Sequence, residues 1–280
     1  MNPIETLRPQ LFSIAYHLTG DSQEAQDIVQ DTYETWLGRP RAVENVPAYL
    51  KKMTVNRSID RLKALKAQRE AYKGPWLPVP CVTPWEPEAA PAPPGDVLSL
   101  GLLHLLEKLT PTERAVFLLK EAFACSYEEI AELCETSAQN CRQLLHRAKE
   151  KLRRPAARFP VDEGQHRRLL EAFLVACQEE NPERLARLLK ADVVLYTDGG
   201  GKRAAALKPL TGIAHVVKFL LAVRPRPEDL TWRWVRVNHQ PGIAFFDAHT
   251  GQPDTVMTLE VADGQITKLL LVRNPDKLFL

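Results

Sequence analysis

The stretch Ser126-Tyr127-Glu128-Glu129-Ile130-Ala131-Glu132-Leu133-Cys134-Glu135-Thr136-Ser137-Ala138-Gln139-Asn140-Cys141-Arg142-Gln143-Leu144-Leu145-His146-Arg147-Ala148-Lys149 decides how the first half of the chain is read. Ser126, followed three residues later by Glu129, is a capping box that predicts a short helix burying Ile130, Ala131 and Cys134. A turn falls around Glu135 and Thr136. The next helix places Cys141, Leu144, Leu145, Ala148 and Leu152 on one face and projects Gln139, Arg142, Gln143, His146 and Arg147 from the other. Two short helices joined by a tight turn let the second lie in the major groove while the first braces it against the backbone. Gln can read adenine edges, Arg can read guanine, and either can hold phosphate. A solvated face on an ordinary three-helix unit has the same pattern, so the stretch alone leaves both readings open.

Upstream, Thr110-Pro111-Thr112-Glu113 combines a cap residue, a first-turn proline and a boxed Glu, and predicts a helix through Ala122. Helices are expected to resume at about Asp96. Before that, Gly74 to Gly95 is a proline-rich linker that cannot hold a helix. Its Trp76 and Trp85 are unusual for a solvated spacer, so part of it is expected to be docked. From Pro3 to about Lys73 the chain reads as helices, with Ile4, Leu7, Leu11, Ala15 and Leu18 at helical spacing. Asp21 and Glu24 predict a capped second helix with Ala25, Ile28, Val29, Thr32 and Trp36 on its apolar stripe. Pro47 can open a third, basic helix running towards Arg69.

Beyond Pro155 and Pro160 two helices are followed by period-two strands. Leu169, Leu170, Phe173, Leu174 and Cys177 mark one helix; Asn181-Pro182 caps another containing Leu185, Leu188 and Leu189. Strands are expected at 192–198, 231–237, 243–247, 255–261 and 266–272, with a short helix around Ile213, Val216, Val217 and Leu220. Asp263-Gly264 predicts a hairpin. The expected product is a curved antiparallel sheet wrapped around helices.

The 280 residues carry a net charge of +2, but the charge is blocked. Asp21, Glu24, Asp27, Asp31 and Glu34 occur with no Lys or Arg among them. A basic block from Arg39 to Lys73 follows, and a second runs from Arg142 to Arg158, which suggests two contacts with a polyanion. In the first, Lys52, Asn56 and Lys63 share a helical face with Arg57 and Arg61 at its edge, suited to a phosphate backbone and an exposed base. A Lys-rich helix is also a common solubilising face. The acidic stripe Asp27, Asp31 and Glu34 suits a basic protein surface, with a solvated face as the equal alternative. Five cysteines without a C-x-x-C pair suggest buried thiols and neither a disulfide framework nor a metal site. Charges interrupt every apolar stretch, so no membrane span and a cytoplasmic location are expected.

These features resemble, in order and spacing, the extracytoplasmic-function (ECF) sigma factors over residues 1–158. The resemblance implies a multidomain chain: sigma region two at 1–73, a Pro-rich linker at 74–95, and a helix-turn-helix region four at 96–158. It implies that Glu24, Asp27, Gln30, Asp31 and Glu34 contact the clamp coiled coil of the β′ subunit of bacterial core RNA polymerase. Region four would also face the β flap. Promoter DNA would be held at the opened minus-10 element by Arg41, Lys52, Asn56, Arg57, Arg61 and Lys63. The minus-35 element would be read by Ser137, Gln139, Asn140, Arg142, Gln143, His146, Arg147 and Lys149.

Residues 161–280 are similar to the SnoaL-like α+β domain fused to one group of these factors. Asp198-Gly199-Gly200-Gly201-Lys202 and Asn274-Pro275-Asp276-Lys277-Leu278 match that group's D-G-G-G-K and N-P-D-K-L motifs. Trp76-Leu77-Pro78-Val79-Pro80 resembles its W-L-P-E-P linker, with Val79 where Glu is expected. The resemblance implies that these residues make an interdomain contact controlling sigma activity. It calls for no cofactor and no metal, and a monomer is the simple expectation for the free protein.

Two other readings stand beside it. The C-terminal cone could bind a small-molecule ligand and act on it through Tyr196, Asp198, His215, His239 or Asp247, but no pair of these has a spacing that demands catalysis. An autonomous helix-turn-helix regulator would need neither the acidic helix nor the basic one of the first 73 residues.

Overall fold

The computed structural model describes residues 3–38, 43–86, 98–152, 163–223 and 228–279. Of these, 3–71, 98 and 102–152 form one compact unit, and 72–86, 99–101 and 163–279 form a second.

In the first unit, helices α1 (Pro3–Thr19), α2 (Ser22–Leu37) and α3 (Val46–Glu70) pack around Leu11, Val29 and Leu50. Asp21 caps α2 by accepting from the amides of Gln23 and Glu24 at 2.9 and 3.3 Å. The expected reciprocal arm is missing, because the Glu24 carboxylate is taken by Arg61 of α3. After α4 (Leu100–Leu105) come α5 (Pro111–Glu121), α6 (Tyr127–Leu133) and α7 (Ala138–Leu152). Both capping boxes, Thr110 with Glu113 and Ser126 with Glu129, are complete. The α6–α7 turn passes through Glu135 at φ 52°. Beneath these helices lies buried charge. Glu107 pairs with Arg114 and, at 2.7 Å, with Arg69, while Arg114 also donates to the His17 carbonyl and Arg69 to that of Thr19.

The second unit has a seven-stranded sheet in the order β1-β4-β5-β6-β7-β2-β3. The strands are β1 (Val82–Pro84), β2 (Leu189–Asp198), β3 (Leu210–Thr211), β4 (Leu230–Val237), β5 (Gln240–Asp247), β6 (Pro253–Ala262) and β7 (Gln265–Val272). The sheet is mixed rather than antiparallel, since β2 runs parallel to β7 with Asp198 opposite Val272. Leu189, expected at the end of a helix, instead opens β2, one residue after α9 (Pro182–Leu188). The Asp263-Gly264 hairpin forms as expected, with both residues at positive φ.

Each face of the sheet has its own core. With α8 (Glu163–Gln178), α9 and α10 (Ile213–Ala222), one face buries Leu170, Phe173, Leu185, Val216, Ile243 and Leu269. The other buries Leu77 and Leu100 against Val235, Ala244, Val256, Leu270 and Leu278. The linker is docked: β1 adds to the edge of β4, and Trp85 lies 6.0 Å from Trp234 with the Arg236 guanidinium 4.6 Å above it.

His166 of α8 is buried, and its Nε2 finds no hydrogen-bond partner among the described residues. Burial lowers its pKa to about 4. Protonation is therefore easier in the unfolded chain, so stability is full above about pH 6.5 and falls between there and pH 4 by about 3 kcal/mol in all. Thermal unfolding of the wild type should show this slope from pH 7 to 5, and His166→Gln should flatten it. A wild-type profile already flat over that range contradicts the burial argument.

Candidate functional site

On α7 the exposed face carries Gln139, Arg142, Gln143, His146, Arg147 and Lys149, while Cys141, Leu144, Leu145, Ala148 and Leu152 are buried. The side chains of Gln139, Gln143 and Arg147 make no hydrogen bond or ion pair among the described residues. Arg142 stacks 4.7 Å over the ring of Tyr127 on α6, which holds the guanidinium against the preceding helix. Ser137 and Asn140 act locally: the Ser137 hydroxyl accepts from the Asn140 amide at 3.1 Å, and the Asn140 side chain donates to Thr136 at 2.8 Å. His146 and Lys149 lie 3.5 and 3.0 Å from Glu150 and Glu121.

The acidic and basic blocks of the first 73 residues are not two independent surfaces. Across the α2–α3 interface Arg61 grips Glu24, while Arg57 lies 3.2 Å from Asp31 and donates to Thr35 at 2.6 Å. Asp27, Gln30, Asp31 and Glu34 remain exposed on α2, with Gln30 donating to Glu34 at 2.9 Å. Lys52 and Asn56 converge on the Glu135 carboxylate at 3.1 and 3.4 Å, and Lys63 pairs with Asp60 at 2.9 Å. Arg41 lies outside the described residues, as do Arg39 and the last arginines of the second basic block, Arg153, Arg154 and Arg158.

The second unit gathers the three motif segments around one carboxylate. Strands β2 and β7 run parallel and end together, so the chain leaves both in the same direction, and the Arg273 amide extends the ladder to the Asp198 carbonyl at 2.7 Å. Asp198 is 0 % exposed and Lys277 6 %. The Asp198 carboxylate accepts from the Tyr72 hydroxyl at 2.5 Å, the Leu77 amide at 2.8 Å, the Gly200 amide at 3.1 Å and Lys277 Nζ at 2.7 Å. Lys277 also donates to the Leu77 carbonyl at 2.6 Å and lies 4.1 Å from the centre of the Trp76 ring. Burial, and then the bond to Asp198, hold the Tyr72 phenol far above its ordinary pKa, so it stays protonated and donating.

Gly200 sits at φ 60°, and a Cβ there would fall 2.4 Å from the Asn274 side chain, which itself donates to Tyr72 at 2.9 Å. That close approach is why glycine is required between the two motifs. Outside the carboxylate, Lys202 pairs with Asp276 at 2.6 Å, and Pro275 to Lys277 form a 3-10 turn that presents the lysine. Val79 is buried, so the residue standing where the linker motif has Glu makes an apolar contact instead of a charged one. Sequence reasoning missed Tyr72, whose role depends on partners more than 120 residues away.

The residues of the catalytic alternative are dispersed or already committed. Tyr196 packs beside the Leu77 core, His215 bonds the Thr211 carbonyl, His239 lies in the β4–β5 turn, Asp247 caps the turn to Thr250, and Asp198 is enclosed by the linker. Among the described residues no cluster of His, Cys, Asp or Glu could hold a metal ion, and no helix is long and apolar enough to cross a membrane. Of the five cysteines only Cys141 is fully buried; burial pushes the half-buried Cys134 thiol up to about 12.

Residues 4–68 match the family Sigma-70 region 2, and residues 99–152 match Sigma-70, region 4. A Mycobacterium tuberculosis protein named "Probable ECF RNA polymerase sigma factor SigI" is 31% identical over 97% of this chain and 92% of its own length. The chain belongs to the ECF RNA polymerase sigma factors. The M. tuberculosis ECF RNA polymerase sigma factor SigJ is 29% identical over 99% of the chain and 92% of the relative. The crystal structure of M. tuberculosis SigJ superposes with a TM-score of 0.78, covering 98% of this chain and 96% of that one. As an ECF sigma factor the protein is a non-catalytic initiation factor of the class that binds core RNA polymerase and promoter DNA. Its helical regions two and four are joined to a SnoaL-like α+β domain with an open mixed sheet.

Proposed function

We propose that this ECF sigma factor directs promoter-specific initiation through the surfaces described, and that its SnoaL-like domain controls it through the linker. Residues 1–73 serve as region two, 74–95 as linker, 96–158 as region four and 161–280 as the regulatory domain. Glu24, Asp27, Gln30, Asp31 and Glu34 meet the β′ clamp coiled coil, and region four meets the β flap. Arg41, Lys52, Asn56, Arg57, Arg61 and Lys63 hold the opened minus-10 strand. The α7 face, flanked by Ser137 and Asn140, reads the minus-35 element. The protein acts in the cytoplasm and is a monomer when free.

The observation that carries the regulatory part is the enclosed Asp198 carboxylate, which joins Tyr72 and Leu77 to both C-terminal motifs. Trp76, Leu77 and Pro78 lie on one side of it, and Gly199 to Lys202 and Asn274 to Leu278 on the other. No small molecule is needed for the contact, although a ligand favouring either the docked or the released state would shift it.

Promoter-dependent transcription with bacterial core RNA polymerase tests the reading. Full-length protein should initiate from a defined start, and Asp198→Asn should change the yield. If the protein neither initiates nor binds core polymerase, the sigma assignment of these surfaces fails. On minus-35 variants, Arg142→Ala or Gln143→Ala should each relax preference at one base pair by about 1–3 kcal/mol, while Lys149→Ala weakens all sequences alike. Equal weakening by all three changes would mean that α7 holds phosphate without reading bases.

A further inference from the structure

The linker has a second end, and the C-terminal domain holds it too. The Ser99 hydroxyl donates to Glu260 Oε1 of β6 at 2.6 Å. A Cβ on Gly101 would fall 2.2 Å from that same oxygen, so the Glu260 carboxylate lies directly against the Gly101 backbone. Between them Leu100 is buried in the core that also holds Leu77, Val272 and Leu278. Ser99, Leu100 and Gly101 are the first three residues of the region-four match.

We infer that Glu260, with Ser99, Leu100 and Gly101, forms a second anchor that holds the start of region four on the SnoaL-like domain. This rests on the proposed control through the linker and extends it to a residue outside the three motifs. Its physical consequence concerns reach. A free chain the length of residues 72–101 extends to roughly 100 Å, enough for region two and region four to take up widely separated sites. With Tyr72 to Leu77 held at Asp198 and Ser99 to Gly101 held at Glu260, that slack is withdrawn from the segment between the two regions. Opening one anchor frees only part of it, so the two act in series and full extension requires both to open.

Hydrogen exchange and promoter-dependent transcription on the full-length protein, with Glu260→Ala, Ser99→Ala, Asp198→Ala and the Glu260→Ala/Asp198→Ala pair, test the anchor. Glu260→Ala should speed exchange at residues 99–103 about tenfold, the equivalent of one charge-assisted hydrogen bond lost. Exchange at residues 72–79 should stay unchanged. Asp198→Ala should speed exchange first and most at residues 72–79, and the double variant should shift transcription further than either single one. Unchanged exchange at 99–103 in both Glu260→Ala and Ser99→Ala overturns the anchor. Faster exchange there, with transcription altered by Asp198→Ala but not by Glu260→Ala, overturns its regulatory role while leaving the linker reading standing. Transcription unaffected by Asp198→Ala brings down the linker reading itself, and the anchor's regulatory role with it.

Discussion

Replacing Asp198 with Ala should destabilise the second unit by about 3–5 kcal/mol, because it leaves the Lys277 ammonium buried without its counter-charge. The same change strips the Tyr72 hydroxyl and the Leu77 amide of their acceptor, so residues 72–79 should lose protection first. Lys277→Met should cost less. Asp198 keeps the donors of Tyr72, Leu77 and Gly200, and the methionine refills the space against Trp76. The neutral, similarly shaped pair Asp198→Asn/Lys277→Met should be milder than the sum of its parts, and a double-mutant cycle reads that coupling directly. Calorimetry of the wild type, Asp198→Ala, and the cycle's Asp198→Asn, Lys277→Met and paired variants decides it. A loss below about 1 kcal/mol for Asp198→Ala would mean that the pair behaves as an exposed ion pair, contrary to its burial.

How far this was legible depends on which forces are local. The boxes at Thr110 and Ser126 formed as read because a cap, its N3 partner and the following apolar stripe are all encoded within one helical turn. The division of α7 into a buried stripe and an exposed polar face was legible for the same reason. Strand pairing is different: a period-two pattern in 192–198 and 266–272 announces two strands but not that they are parallel neighbours. That pairing is what brings the D-G-G-G-K and N-P-D-K-L segments to one end of the sheet. Likewise the charge pattern shows an acidic stripe and a basic helix but not that Arg57 and Arg61 turn towards α2, which follows from how the two helices pack. Tyr72, Ser99, Gly101 and Glu260 carry no local signature at all, since each takes its role from a partner more than 120 residues distant.

Arg114 shows the same limit and leads to the other large effect. It sits in the first turn of α5 with no local signal to mark it, yet it is 2 % exposed and donates to the His17 carbonyl of α1. Glu107 holds it there together with Arg69. Burial alone would raise the Glu107 carboxyl, but the Arg114 and Arg69 guanidinium groups outweigh it and keep the group below the ordinary carboxylate range. A depressed folded-state pKa means that its contribution is present above the unfolded value and is lost only as the pH falls through the folded one. Glu107→Ala should therefore destabilise the first unit by about 3–5 kcal/mol at neutral pH, since it leaves two buried cations facing each other. The difference from wild type should shrink on acidification below the ordinary carboxylate range. Removing one cation as well, in Glu107→Ala/Arg69→Met, should recover part of the loss by relieving that repulsion. Thermal unfolding of the three proteins at pH 7 and pH 3.5 provides the check. Equal losses for the single and double variants, or a difference that does not change with pH, would show that Glu107 acts through packing alone.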